Sequence, residues 1–274
     1  MRIAFNNFEH EELFRENGYL IIPNFLNEED IKNFSKFQSS IPAASDDTFY
    51  SSHWNNDKEY RKHVDSFIRP ILFEKAKDLL LDYRPVYGYY LVKMPGDKGT
   101  VSVHQDWMLV DESKFAGLTI WIPLIDTHLG NGSFQIMENS HKFLSQIRGS
   151  NTHFPYRSNL EEVQETFLSN INMGKGDAII FDHRLAHGSL PNLSNHPRVA
   201  VGLVVLPKEA AMIHYYFNPD KKEASLYQVD DNFLIDFGLK DQPDQYTFIK
   251  TVPFTNPILP TENLAISYEI NKGI

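Results

Sequence analysis

The chain has 274 residues, of which 42% are hydrophobic, so it is long and apolar enough to bury a sizeable core. Its formal net charge is −10. That acidity argues against nucleic acid or an anionic membrane as a partner, because both need a basic protein surface. The chain contains no cysteine, which excludes disulfides, thiolate metal sites and a cysteine nucleophile. A metal ion would therefore have to be bound by His, Asp or Glu.

Two further observations concern location. The first residues, MRIAFNNFEHEELF, carry acidic side chains within the apolar stretch, which is not the pattern of a signal peptide. No apolar run approaches the roughly 18 residues that a membrane span needs. We therefore expect a cytoplasmic protein.

The first 85 residues predict a helical layer. FEHEELFREN is typical of a helix that ends at Gly18, and GYLIIPNF predicts a short strand after it. Asn27 followed by acidic residues predicts the start of a second helix. Residues 57–83 predict two helical pieces, because Pro70 should break or kink the helix after Arg69.

From about residue 86 to 217 the pattern changes to short β-type runs separated by turn residues. These runs are VYGYYLVKM, TVSVH, GLTIWIPLI, GSFQIM, DAIIF, RVAVGLVVL and AMIHYYF. Asn131-Gly132 predicts a hairpin between two of them. So many short strands indicate a mainly β fold with flanking helices, a double-stranded β-helix (jelly roll, cupin-like) on an N-terminal helical layer. Residues 218–274 are expected to wrap on this core as an extension, with the mouth of the barrel as a candidate position, within a single domain of residues 1–274.

Three His-x-Asp/Glu pairs occur, and backbone geometry separates them. Residues two apart point in different directions on a helix but share a face on a strand. The pairs beginning at His10 and His63 fall in predicted helices and are poor chelators. His104 and Asp106 lie at the end of the β-run TVSVHQDW, where both side chains can face the interior.

A third ligand is expected further along the chain. His187 follows the buried run DAIIF, and Arg198, eleven residues later, begins another hydrophobic run. His183 is an alternative ligand nearer the end of the first run. Two imidazoles and one carboxylate form the facial triad of non-haem Fe(II) oxygenases. Arg198, if it faces the same interior, would need an anionic partner and could hold a carboxylate.

The order of these motifs resembles the phytanoyl-CoA dioxygenase (PhyH-like) family of Fe(II)/2-oxoglutarate-dependent oxygenases. The resemblance rests on ENGYLIIPNFLNEEDI, HQDW, WIPLIDTHLGNGSFQIMENSHK, GDAIIFDHRLAHGS and NLSNHPR, over about residues 8–206. It implies iron on His104, Asp106 and His187, with 2-oxoglutarate and O2 as co-substrates. It also implies that the distal carboxylate of 2-oxoglutarate is held by Arg198 and Ser189. Further positions implied near 2-oxoglutarate are Trp121, Tyr89 and Gln105.

The family's acyl-CoA substrate is not implied, because this chain departs from the family in its variable segments. We expect hydroxylation of an unactivated C–H bond in a small metabolite or an amino-acid-derived intermediate that is free, peptide-linked or carrier-bound. His53, Trp54 and Trp107 are candidates for contact with this substrate. The alternatives are a cupin-like metal-dependent isomerase and a barrel that binds without catalysis.

Overall fold

The computed structural model describes residues 2–41, 48–237 and 242–272, and residues 238–241 and 273–274 of the predicted C-terminal extension lie outside them. The α-helices are α1 (Phe8–Asn17), α2 (Glu28–Ser40), α3 (Lys58–Ala76), α4 (Ser140–Phe143), α5 (Leu160–Phe167), α6 (Phe233–Asp236) and α7 (Thr261–Lys272). Short 3₁₀ helices span Ser52–Trp54, Leu129–Asn131 and Arg157–Asn159.

The strands form antiparallel sheets. They are β1 (Tyr19–Ile22), β2 (Phe49–Ser51), β3 (Tyr83–Lys93), β4 (Val101–His104), β5 (Leu118–Pro123), β6 (Phe134–Ile136), β7 (Ser169–Ile171), β8 (Ala178–Asp182), β9 (His187–Ser189), β10 (Arg198–Pro207), β11 (Ile213–Asn218), β12 (Glu223–Gln228) and β13 (Thr247–Pro253). A six-stranded sheet has the order β1-β8-β5-β10-β3-β2, and a four-stranded sheet has the order β4-β9-β6-β7. A third sheet, β11-β12-β13, comes from the C-terminal part. The mainly β fold with flanking helices is as predicted.

The six-stranded sheet has an apolar layer on each face. On one face the helices α1, α2 and α3 pack through residues such as Phe14, Phe34 and Ile68. On the other face the four-stranded sheet packs against it, with Phe134 of β6 lying 5.2 Å from both Trp121 and Phe181 between ring centroids. The space between the two sheets is therefore the interior into which strand residues can direct functional groups.

The N-terminal helices begin and end where the sequence predicts. Gly18 ends α1 in a left-handed conformation (φ 79°), which glycine adopts without steric cost. Asn27 and Asp30 form a reciprocal capping box at the start of α2.

The predicted break at Pro70 is wrong. Helix α3 continues through Pro70, because one face of the helix stays fully buried on both sides of it, with Val64 and Ile68 before and Leu72 and Ala76 after. Burial of this apolar face outweighs the loss of one backbone hydrogen bond at the proline.

The predicted hairpin at Asn131-Gly132 is also wrong, since β5 and β6 belong to different sheets. Asn131 instead accepts a hydrogen bond from the backbone of His128 and donates one to Asp126 O. Gly132 has φ 76°, and a Cβ there would lie 2.6 Å from Leu190 O. Asn131 and Gly132 do form a turn, but this turn connects a strand of one sheet to a strand of the other.

The C-terminal part packs on the core through α6 and α7. Phe233 and Leu234 of α6 are buried in an apolar cluster with Leu109 and Val204, and Leu264 of α7 is fully buried beside α5. None of the helices in the described ranges is long and apolar enough to cross a membrane.

Candidate metal centre and adjoining cavity

The structure brings together the His-x-Asp pair and the distal histidine that the sequence singled out. His104, at the end of β4, pairs in register with His187, at the start of β9, and their ring centroids lie 4.3 Å apart. His187 Nε2 lies 3.8 Å from Asp106 Oδ1. One ligand atom from each of the three residues lies within 4.8 Å of the others. Adjacent ligand atoms bound about 2.1 Å from one metal ion lie about 3 Å apart, so small side-chain rotations would complete the site.

Hydrogen bonds orient each of these side chains. Nδ1 of His104 donates to Ser102 O and Nδ1 of His187 donates to Leu185 O, both at 2.9 Å. In each ring Nε2 is left with the lone pair that a metal needs. The hydroxyl of Thr119 donates a 2.7 Å hydrogen bond to Asp106 Oδ2, which leaves Oδ1 facing His187.

The electrostatics of the group suit a cation. Burial and the neighbouring His104 lower the pKa of His187 to about 4, so its imidazole is neutral at pH 7. Burial alone would raise the pKa of Asp106, but His187, His183 and His104 hold it below its usual range. The Asp106 carboxylate and the neutral imidazole of His187 are therefore available beside His104, and this ligand set fits a divalent ion and leaves coordination positions free.

His183, the alternative ligand, stays outside this group. It is buried and lines the same cavity, and neither ring nitrogen has a hydrogen-bond partner among the described residues. The nitrogens of His183 are nevertheless not part of the group of ligand atoms formed by His104, Asp106 and His187.

Arg198 lines the cavity and lies next to Lys93, a second buried basic residue. Arg198 begins β10, directly opposite Lys93 at the end of β3, and both side chains are almost completely buried. The guanidinium carbon lies 5.3 Å from the centre of the Trp121 ring, and Nε has no partner in the described parts of the chain. Lys93 Nζ donates to Ser189 Oγ at 2.7 Å and to Leu190 O.

The pKa values of Arg198 and Lys93 are lowered because both groups are buried without a compensating anion. Burial lowers the pKa of Arg198 to about 10, and burial with the nearby Arg198 charge lowers the pKa of Lys93 to about 6. No carboxylate of the described residues pairs with either side chain. Two adjacent buried cations are unfavourable alone and favourable around a carboxylate, so this end of the cavity fits the distal carboxylate of 2-oxoglutarate.

A cavity of about 300 Å³ connects the two groups. Its walls include the metal group, Arg198 and Ser189, and also the other predicted contacts Tyr89, Trp121, His53, Trp54 and Trp107. Tyr89 and Trp121 approach from the two strands on either side of β10, opposite Gly202, where a Cβ would lie 2.4 Å from the Tyr89 ring. The predicted site residues thus line one continuous space.

Gln105 also borders the cavity, but its amide is already bound by the protein. It donates to Leu144 O and Arg184 O and accepts from Gln146 Nε2. These contacts give Gln105 a structural role, and its contact with 2-oxoglutarate stays a prediction.

The sequence did not single out Lys93, Thr119, Tyr87 or Leu234, although each contacts the site or lines the cavity. Lys93 could have been found from strand alternation, since Tyr89, Leu91 and Lys93 share one face of β3. Leu234 carried no signal, because α6 is distant in sequence from every motif.

Comparison with known proteins gives the family. The sequence profile of the phytanoyl-CoA dioxygenase (PhyH) family matches residues 14–200, more than half of the chain. The chain belongs to the phytanoyl-CoA dioxygenase family. This confirms the predicted family.

A phytanoyl-CoA dioxygenase of Arabidopsis thaliana is 35% identical over 133 residues, which is 46% of this chain and 46% of that protein. The match therefore spans about half the length of that relative. Among solved structures, EvdO2 of Micromonospora carbonacea var. aurantiaca complexed with 2-oxoglutarate has a TM-score of 0.55 at 19% identity, over 77% of this chain and 94% of EvdO2. The carbocyclase SnoK from nogalamycin biosynthesis has a TM-score of 0.54 at 21% identity, over 89% and 96%. At these identities the likeness shows the fold, and it confirms the predicted jelly roll.

Proposed function

We propose that this family member is an active oxygenase that hydroxylates an unactivated C–H bond of a small metabolite or biosynthetic intermediate. The observation that carries the proposal is the placement of two features in one cavity. Three metal-ligand atoms lie within 4.8 Å of one another, and Arg198 lines the same cavity beside Lys93, with no carboxylate partner for either among the described residues.

Each residue has a role in this proposal. His104, Asp106 and His187 would hold the iron, with Thr119 fixing the carboxylate. Arg198, Lys93 and Ser189 would hold the distal carboxylate of 2-oxoglutarate. Iron, 2-oxoglutarate and dioxygen together supply the oxidising power that breaks the C–H bond.

The protein's own contribution is orientation and the exclusion of water. The aromatic side chains of Tyr89, Trp121 and Phe134 line the cavity together with the metal group, and a bound substrate would displace water from between them. In such a setting a substrate C–H bond can be held close to the metal without competing solvent. We further propose that residues 1–274 work as a single oxygenase domain. A cytoplasmic location and an amino-acid-derived substrate stay predictions.

Succinate formation tests the activity. Metal-free protein is supplied with Fe(II), ascorbate and 2-oxoglutarate under air, beside His187→Ala. We expect slow succinate formation that the variant lacks, and acceleration when the right member of a small-molecule library is added. Product masses that increase by one oxygen would establish hydroxylation. Equal succinate in both proteins would contradict the proposal, and the inactive barrel and the cupin-like isomerase would then become the leading alternatives.

A further inference from the structure

The cavity has two chemically different ends along strand β3. Tyr87, Tyr89, Leu91 and Lys93 alternate on the strand face that borders the interior, and the pairing of β3 with β10 is regular over these residues. Six residues at about 3.3 Å each place the Cα atoms of Tyr87 and Lys93 about 20 Å apart. The end at Tyr87 is therefore distant from the end where the cations Lys93 and Arg198 lie.

No charged side chain of the described residues lines the cavity at the Tyr87 end, although the charges of Arg61 and Asp65 lie close behind its wall. Among the described residues that line the cavity, Asp106 is the only acidic residue and Arg198 the only lysine or arginine, and both belong to the proposed iron and 2-oxoglutarate sites. Burial and the Arg61 charge lower the pKa of His53 to about 4, so this ring is neutral. Burial raises the pKa of Tyr87, so its hydroxyl keeps its proton. A charged group placed here would lose its hydration without touching a charged side chain, since Arg61 is already bound to the carbonyls of Ile235 and Asn55.

Two polar atoms at this end have no partner. His53 Nδ1 and the Tyr87 hydroxyl are excluded from solvent and lack a hydrogen bond within the described ranges, and the two rings are 5.1 Å apart between centroids. The other nitrogen of His53 bonds to the backbone of Leu234. The acceptor in this bond is a carbonyl oxygen. Nε2 of His53 therefore carries the proton, and Nδ1 offers a lone pair. Leaving such atoms unpaired is costly, and a ligand could satisfy both.

The surroundings of these two atoms are aromatic. The Trp107 ring lies 6.4 Å from His53, and the Tyr89 ring stacks 6.0 Å from Tyr87. Flat aromatic walls favour contact with a ring or another rigid apolar body.

We propose that His53 Nδ1 and the Tyr87 hydroxyl form a recognition subsite for a hydroxyl or amide N–H group of the prime substrate, which is an uncharged, ring-bearing molecule. His53 accepts the substrate's hydrogen, and the Tyr87 hydroxyl bonds to the same polar group. This inference rests on the proposed function for the reaction, but binding at the subsite needs neither iron nor turnover. It narrows the predicted amino-acid-derived substrates to those whose ammonium and carboxylate charges are masked.

The three tryptophans of the chain supply the readout. Trp54, Trp107 and Trp121 all line the cavity, so a ligand that enters it will change the protein's tryptophan fluorescence. Four probes of one shape are titrated into the full chain without added metal. They are 4-propylphenol, which donates a hydrogen bond, 4-propylanisole, which cannot, and the charged 4-propylbenzylamine and 4-propylbenzoate.

We expect 4-propylphenol to bind about tenfold more tightly than 4-propylanisole, the difference that one or two hydrogen bonds supply. Tyr87→Phe and His53→Phe should each reduce this preference, and the double variant should remove it. Both substitutions keep a ring of similar size. The affinity for 4-propylanisole should change less than twofold, which controls for loss of folding. The ammonium probe should bind more weakly than the anisole.

Several outcomes would overturn the inference. The first is equal binding of 4-propylphenol and 4-propylanisole to the unsubstituted chain, and the second is a preference for 4-propylphenol that survives in the double variant. The others are 4-propylbenzylamine binding as tight as that of 4-propylphenol, and no binding by any of the four probes. A weaker affinity of Tyr87→Phe for 4-propylbenzoate would also overturn the inference. An anion that Arg198 binds should have the same affinity for this variant as for the unsubstituted chain. Failure here leaves the succinate result untouched, so the two proposals are tested separately.

Discussion

The ammonium group of Lys93 donates a 2.7 Å hydrogen bond to the hydroxyl of Ser189. Lys93 also occupies the position of β3 that pairs with Arg198 of β10. These contacts place Lys93 beside Arg198. They also bind Lys93 to the Ser189 hydroxyl, which the family resemblance predicts to contact 2-oxoglutarate. We therefore expect the distal carboxylate of 2-oxoglutarate to lie between two cations.

The first prediction concerns the affinity for 2-oxoglutarate. Lys93→Met keeps the length of the side chain but removes the charge, and we expect 2-oxoglutarate to bind about 10- to 100-fold more weakly. Calorimetric titration of 2-oxoglutarate into protein loaded with Ni(II) measures this. Lys98→Met, the same change at an exposed lysine five residues away, is the matched control and should have no effect. Equal affinity in the two variants would remove Lys93 from the site.

The second prediction concerns protons. Because the pKa of Lys93 is lowered to about 6, the side chain is mostly neutral at pH 7.5 without an anion. A carboxylate beside it raises that pKa, so 2-oxoglutarate binding should take up a proton. Affinity should then fall as the pH rises above about 6, by at most tenfold per pH unit. Calorimetry in two buffers of different ionisation enthalpy counts the protons, and Lys93→Met should show no uptake from this group.

The third prediction concerns iron retention. Thr119→Val removes the hydrogen bond to Asp106 Oδ2 and keeps the shape of the side chain. Partners of metal ligands typically contribute 10- to 100-fold to metal affinity, and we expect a loss of that size. Competition with a chelator measures the Fe(II) affinity, and the melting temperature of the metal-free variant checks its fold. Unchanged affinity would show that Asp106 is oriented by other contacts.

The fourth prediction concerns acid stability. Burial lowers the pKa of His214 to about 3, against about 6.5 for an unfolded histidine. Between these values the unfolded state binds a proton that the folded state excludes, so the free energy of unfolding falls as the pH drops below 6.5. His53 and His187, whose pKa values are about 4, act in the same direction.

Urea unfolding of His214→Phe tests this contribution. From pH 6 to pH 5 the variant should lose about 1 kcal/mol less of its free energy of unfolding than the original chain. Its stability at pH 7 is the reference, since the substitution also removes the hydrogen bond to Ser150. An identical pH dependence in both proteins would show that His214 titrates normally.

The outline of the site was predictable because its signals are local. His104 and Asp106 are two apart on a strand, and Arg198 begins a hydrophobic run, so strand alternation alone directs all three into the interior. The family resemblance added the roles of Ser189, Trp121 and Tyr89 near 2-oxoglutarate.

The parts that sequence reasoning missed depend on contacts between distant segments. Lys93 gains its role only from the register that sets it opposite Arg198, and Leu234 only from the packing of α6. Two local signals did not decide the structure. The helix continues through Pro70 because its buried face is continuous. The turn at Asn131-Gly132 does not make a hairpin because β5 and β6 belong to different sheets.

The central claim is that His104, Asp106 and His187 hold an iron ion to which 2-oxoglutarate also binds. Fe(II) and 2-oxoglutarate are added without oxygen, and the visible spectrum is recorded beside His187→Ala with the iron content of both samples verified. We predict a weak charge-transfer band in the original chain and none in the variant. An iron-loaded original chain without the band, or a band of equal strength in the variant, would contradict the account.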